Sequence, residues 1–195
     1  MLRALVGDTD DPLRTRLRPR AMERKLRLLG CAAARFLLPR QDAERDRSLR
    51  AAIDVAERQA DGAATKKDLR QARLGPDGPW TVANPRAADA ARGVADTALA
   101  SRKAVVAGVM RCVFGNPFRP VAVDPPISTP TVVSLTQAAY DERALPSGEL
   151  DRLRLSILAD ALEEAGAGGD LLDHLRSAGP HVRGCWALDL ILGKE

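Results

Sequence analysis

The sequence predicts an all-α protein: a single compact multi-helix domain over residues 1–195, with about eight helices and a proline-rich extended crossing segment. Three observations carry this. Hydrophobic residues make up 45% of the chain but aromatics only 3%, so the core is mostly Leu, Ala, Val and Ile, and Ala and Leu favour helix over strand. Apolar residues recur at three- and four-residue spacing along most of the chain. The sheet-like stretches, Thr81-Val82 and residues 120–123, are too short to build a sheet.

The N-terminal segment, residues 1–20, is basic. Asp11 and Pro12 can open a short helix there, and Pro19 ends it. The next helix runs over residues 21–38, with Met22, Leu26, Leu29, Ala33, Phe36 and Leu37 on one face. Arg24, Lys25, Arg27 and Arg35 lie largely off that stripe, and Pro39 stops the helix. A third helix spans residues 42–60, with Leu49, Ile53 and Ala56 inward and Asp61-Gly62 closing it. Thr65 and Asp68 form a capping box for a short helix that ends near Leu74. Residues 75–79 are a Gly/Pro loop.

Asn84-Pro85 opens the longest helical pattern, residues 85–113, with a small-residue face of Ala88, Ala91, Ala95, Ala98 and Leu99 followed by Val105, Val106 and Val109. Small faces allow helices to approach closely. Gly93 and Gly108 weaken its interior by roughly 1 kcal/mol each relative to Ala. The crossing segment, residues 114–130, holds five prolines, with Phe114 and Phe118 as the expected plugs. The C-terminal helical part, residues 131–195, starts with a helix capped at Thr129-Pro130, then a turn at Pro146-Ser147-Gly148. An amphipathic helix follows over 151–165 with Leu155, Leu158, Ala159 and Leu162 inward. Asp170 caps a short helix through Leu175, and a last helix spans 181–192 with Trp186, Leu188, Ile191 and Leu192.

The net charge is +4, spread unevenly: residues 1–50 carry thirteen Lys/Arg against seven Asp/Glu, and residues 145–195 carry five against nine. The two ends can attract each other within one molecule. A nucleic-acid face is the other use of the basic end, but +4 is small for that role and no aromatic stacking partners accompany Arg14, Arg16, Arg18 and Arg20. Three widely spaced cysteines are no disulfide framework and fit a reducing compartment. The start shows no secretory signal and no window approaches the roughly 18 apolar residues of a membrane span. The expectation is a cytoplasmic protein with no membrane association.

No catalytic, cofactor-binding or metal residues are assigned. His181 and Cys185 stand four apart and would share a helix face, but there is no Cys-x-x-Cys and no His-x-x-x-His pair, so the spacing argues against a metal site. A Cys–His hydrolase pair would need Cys185 with His181 or His174, and no Gly-rich elbow supports it. Asp160, Glu163 and Glu164 read as the solvated face of their helix. No Gly-x-Gly-x-x-Gly or Gly-Lys-Ser/Thr phosphate loop is present, which disfavours nucleotide enzymes. The segment 181–186 concentrates rare residues, which suits either a recognition edge or a docked terminal helix.

Several stretches together resemble a family of uncharacterised bacterial proteins that occur as many paralogues in planctomycete-type genomes. They are Glu23-Arg24-Lys25-Leu26-Arg27-Leu28, residues 51–62, Phe114-Gly115-Asn116-Pro117-Phe118-Arg119-Pro120-Val121, residues 138–143, residues 157–166, and Gly179-Pro180-His181-Val182-Arg183-Gly184-Cys185-Trp186 with the Ala-Leu-Asp that follows. The resemblance covers most of the chain and implies a complete unit with no transferable catalytic residues. The chain departs from the family in a shorter, Trp-poor middle helix and in having Cys31 alone in its second helix.

The favoured function is a non-enzymatic interaction or scaffold module for another protein, and the paralogues imply variable partners. The alternative is a small enzyme or nucleic-acid-associated factor built on the 116–119 turn. The candidate residues for either are Asn116, Arg119, Tyr140, His181 and Arg183.

Overall fold

Helix dominates the computed structural model, as hydrophobic periodicity requires. It describes residues 19–37, 43–74, 81–101, 103–116, 121 and 127–194. The described residues form nine α-helices, one 3-10 turn and a two-stranded hairpin. The chain is all-α, and its contacts gather into two compact units, Met1–Ala107 and Gly108–Glu195. The basic segment 1–18 and most of the crossing segment, including Phe118 and Arg119, lie outside the described residues.

In the N-terminal unit, α1 (Pro19–Leu37) packs on α2 (Ala43–Ala60) and on α4 (Ala87–Ser101), with α3 (Lys66–Arg73) and a 3-10 turn (Thr81–Ala83) closing the core. Ile53, Ala56, Leu69, Val82, Ala83 and Val94 are its buried centre. Gly62, at φ 78, ends α2: Ala63 N–H donates to the Arg58 carbonyl at 2.7 Å, and Gly62 N–H to Gln59 at 3.1 Å. The capping box forms as expected. Asp68 N–H donates to Thr65 Oγ1 at 3.2 Å, and Thr65 N–H to Asp68 Oδ2 at 2.7 Å. The close approach of α1 and α4 uses a glycine: a Cβ on Gly30 would stand 3.3 Å from Ala91 Cα. Among the described side chains of α4, Ala87, Ala90, Ala91 and Val94 are buried and Ala88 is half-buried; those of Ala95, Ala98 and Leu99 lie outside the description.

The cations of α1 depart from expectation. Lys25, Arg27 and Arg35 are buried, Arg27 to 1% exposure. Arg27 donates to the Asn84 and Pro85 carbonyls at 2.8 and 2.9 Å, satisfying the chain where it enters α4. Arg35 forks onto Glu57 at 2.9 and 3.0 Å and reaches Asp54 at 2.6 Å. Arg24 pairs with Asp61 at 2.9 Å. A long aliphatic stem lets a cation lie inside when a partner meets its head. These partners all belong to the same unit.

The middle helical pattern is described as α4 and α5 (Lys103–Phe114), on either side of residue 102, which lies outside the described residues. In the C-terminal unit, α6 (Pro130–Asp141), α7 (Arg152–Glu164), α8 (Asp170–Arg176) and α9 (Trp186–Ile191) pack in sequence. Thr129 caps α6, accepting from Val132 N–H at 3.2 Å, and Asp151 caps α7, accepting from Arg154 N–H at 2.9 Å. Leu155, Leu158, Ala159 and Leu162 face inward as their spacing predicts. A short antiparallel pair, β1 (Arg143–Ala144) and β2 (Glu149–Leu150), flanks the 146–148 turn, so a minimal strand pair exists where none was expected.

Candidate functional site

The last helix is shorter than its apolar pattern suggests. It begins at Trp186, not at His181. Two local causes are visible. Gly184 sits at φ 85, outside the helical region. The His181 carbonyl accepts from Leu150 N–H at 2.9 Å, which fastens this stretch to the hairpin through a Glu149–Val182 bridge. Residues 181–185 are therefore an extended, turned connection between α8 and α9, and they do not present a helix face.

That connection brings together residues that the sequence keeps apart. Cys112 comes from the end of α5, His174 from α8, and His181 and Cys185 from the connection. One donor atom from each lies within 4.8 Å of every other. His174 Nε2 is 3.1 Å from Cys185 Sγ. Cys112, Cys185 and His181 are buried, and His174 is half-buried. Its ring meets the edge of His181, with centroids 4.9 Å apart, and tilts against Trp186 at 5.1 Å.

Two glycines make room for this packing. A Cβ on Gly179 would stand 2.9 Å from the His181 backbone nitrogen and 3.1 Å from its Cδ2. A Cβ on Gly115 would stand 3.0 Å from the Trp186 ring. Both glycines also have φ near or above 65°, a region closed to most side chains.

The electrostatics single out one sulfur. Burial pushes the Cys185 thiol up, but the side chains of Cys112, His174 and His181 gathered around it outweigh that and hold it well below the usual thiol range. Burial pushes the Cys112 thiol up, and the neighbouring Cys185 raises it further. Val182 N–H points at Cys112 Sγ, 3.3 Å away. Burial alone would lower His181, but its interaction with Cys185 and the Ser177 backbone raises it. The set comprises two sulfurs and two imidazoles, four donors able to hold a metal ion. As a nucleophile Cys185 is badly placed, because it has no exposed surface at which to meet a substrate.

The candidates from the sequence separate. His181 is turned into the Cys/His group. Tyr140 is fully buried, with the Arg183 guanidinium carbon 5.1 Å from its ring centre and Lys194 Nζ at 3.7 Å, two cation–π contacts. Asn116 is exposed at the end of α5. Arg119 lies outside the described residues. The sequence offered one usable signal for the group it missed. A chain with two His and three Cys places three of those five within residues 174–185.

Among the described residues no helix is long and apolar enough to cross a membrane. Comparison with protein-family models, curated proteins and solved structures finds no match.

Proposed function

We propose that the chain is a non-enzymatic protein-interaction module. The observation that carries this reading is the outer face of α7. Leu153 is 71% exposed and Ile157 47%, one helical turn apart and hence neighbours. Val133 on α6 and Leu145 beside the hairpin add exposed apolar surface in the same unit. Adjacent large apolar side chains left in water, as Leu153 and Ile157 are, are a common mark of a partner site. Residues 145–195 carry nine acids against five bases. The occupant that fits is a protein surface with an apolar centre and basic flanks. The resemblance to a paralogous bacterial family fits variable partners on such a face.

The enzyme alternative loses support because His181 and Cys185 are sealed among their own neighbours. Arg24, Lys25, Arg27 and Arg35 turn inward and add nothing to a nucleic-acid face, while Arg14, Arg16 and Arg18 lie outside the described residues. The test is affinity capture with the wild type, the Leu153→Asp/Ile157→Asp double variant and Leu74→Asp. Leu74 is an equally exposed apolar residue in the other unit. Proteins held by the wild type and Leu74→Asp, lost by the double variant, and rebinding as purified partners support the module. Capture unchanged in the double variant overturns this surface. Recovery of nucleic acid alone, abolished by moderate salt, favours the nucleic-acid alternative.

A further inference from the structure

We propose that Cys112, His174, His181 and Cys185 form a closed tetrahedral site for a zinc-class divalent cation, which ties α5, α8 and α9 together. The inference does not depend on the interaction reading. It rests first on convergence. Four soft or borderline donors from three separate segments meet within 4.8 Å, and nothing in their spacing along the chain would bring them together unless folding did so.

The second and independent observation is an unsatisfied nitrogen. His181 is 3% exposed, and its Nδ1 has no hydrogen-bond partner. The other ring nitrogen shows why. Nε2 stands 3.1 Å from the Ser177 carbonyl, which can only accept, and 3.3 Å from the Ser177 hydroxyl, which can accept as well, so a proton on Nε2 serves both. The Nδ1 lone pair is then left bare in a buried place, which is costly if nothing meets it. The ring edge bearing Cδ2 and Nε2 faces Gly179 and Ser177, so Nδ1 looks the opposite way. A histidine whose far nitrogen donates to a backbone carbonyl is oriented as metal-bound histidines are.

A hydrogen-bonded knot of thiols and imidazoles is the simpler account of the same residues. It explains the 3.1 Å contact between His174 and Cys185, but it leaves His181 Nδ1 without a partner. A cation at the centre gives that nitrogen a use. Zinc bonds of about 2.3 Å to sulfur and 2.0–2.1 Å to nitrogen place tetrahedral ligands roughly 3.3–3.8 Å apart. The donor atoms need move at most about 1 Å to reach that geometry.

The donor set also selects the ion. Two thiolates cancel the charge of a divalent cation, so the bound centre is neutral, as a buried site requires. Mixed sulfur and imidazole donors in a tetrahedron suit zinc rather than magnesium, calcium or square-planar copper. Four protein ligands leave no open position, which marks a structural centre and not a catalytic one. The surroundings are those of a supported site: Val182 N–H points at Cys112 Sγ, the Ser177 carbonyl holds His181, and Trp186 lies against His174.

The full chain, freed of metal by chelation and dialysis, is titrated with Zn(II) and with Co(II). The expected result is one Zn(II) per chain by plasma mass spectrometry. Co(II) should give the strong visible bands of a tetrahedral ion with a near-ultraviolet thiolate charge-transfer band. Cys31→Ser, a control outside the site, keeps the spectrum. Cys112→Ser and His181→Asn lose binding. Should those variants fail to fold, His181→Cys and Cys112→His preserve four ligands and must raise and lower the thiolate band respectively. Absence of stoichiometric metal, weak octahedral Co(II) bands, or a spectrum indifferent to these substitutions overturns the site.

Discussion

Gly108 offers a test in which helix propensity and packing predict opposite signs. It lies inside α5, where replacing glycine by alanine ordinarily stabilises a helix by about 1 kcal/mol. Here the added Cβ would fall 2.6 Å from Pro180 Cδ and 3.1 Å from its Cγ. Carbon atoms attract best at about 3.5–4.0 Å, so the nearer contact is roughly 1 Å too short. The pyrrolidine ring cannot rotate away, because it is closed onto its own backbone, and His181 follows directly. Overpacking of this kind costs about 1–3 kcal/mol, and the rigid ring points to the upper end. Set against the propensity gain, the net loss is about 2 kcal/mol. For a chain of this size that lowers Tm by about 4–8 °C. Thermal unfolding of Gly108→Ala followed by circular dichroism measures it directly. A Tm equal to or above the wild type would show that the connection before α9 yields freely, and would refute the packing argument.

Three further outcomes follow from the same geometry. Arg35 and Glu57 are a buried ion pair, so Glu57→Ala should cost about 3–5 kcal/mol, while Arg35→Met/Glu57→Leu together should recover most of that loss in urea unfolding. Thr129→Ala removes the cap of α6 and should cost about 1 kcal/mol by the same assay. Asp68 is held below the usual carboxylate range by the Thr65 backbone and hydroxyl, so its contribution is complete above its unfolded pKa of about 3.9 and is lost as pH falls through the lower folded value. The ratio of wild-type to Asp68→Asn stability should therefore converge only in strong acid, and a difference already gone near neutral pH would contradict the capping box.

What could be read from the sequence was local. The capping box at Thr65 and Asp68, the Thr129-Pro130 start, and the inward Leu155, Leu158 and Leu162 depend on neighbours within one or two turns. They stand in the structure as their spacing predicts. The buried cations of α1 could not be read this way, because periodicity assigns every charge to solvent. Arg35 is inside only because Glu57 and Asp54 arrive from another helix. The Cys/His group was only half legible for the same reason: the sequence gathers His174, His181 and Cys185 but not Cys112. Cys112 and His174 are 62 positions apart, and only the turn at Gly179 and Gly184 swings His181 and Cys185 toward them. Apolar spacing over 181–192 described a helix, while a single glycine and one hydrogen bond to the hairpin cut it short.

The distribution of helix caps supplies a reason for a central ion. α6 and α7 span 12 and 13 residues, and each has a side-chain cap. α8 and α9 have seven and six residues, and neither Gly169 nor Cys185 supplies a side-chain hydrogen bond at the cap. Helices this short are not stable alone in water, and these lack the usual help at their starts. They are also the two helices that carry or adjoin His174 and Cys185, so the site bridges the weakest elements of its unit to α5. Leu171, Leu172, Leu175, Leu188 and Ile191 hold these helices by apolar burial, and a metal would add a tie that their starts lack. Metal removal should therefore loosen α8, α9 and the 177–185 connection before α7. At a free zinc concentration a hundredfold above Kd, binding stabilises by about 2.7 kcal/mol, which corresponds to about a hundredfold slower amide exchange in the segments it holds. Hydrogen exchange read by mass spectrometry with and without chelator checks this. Exchange in 170–192 that does not respond to zinc would leave the short helices held by packing alone, and the bridging role would fall.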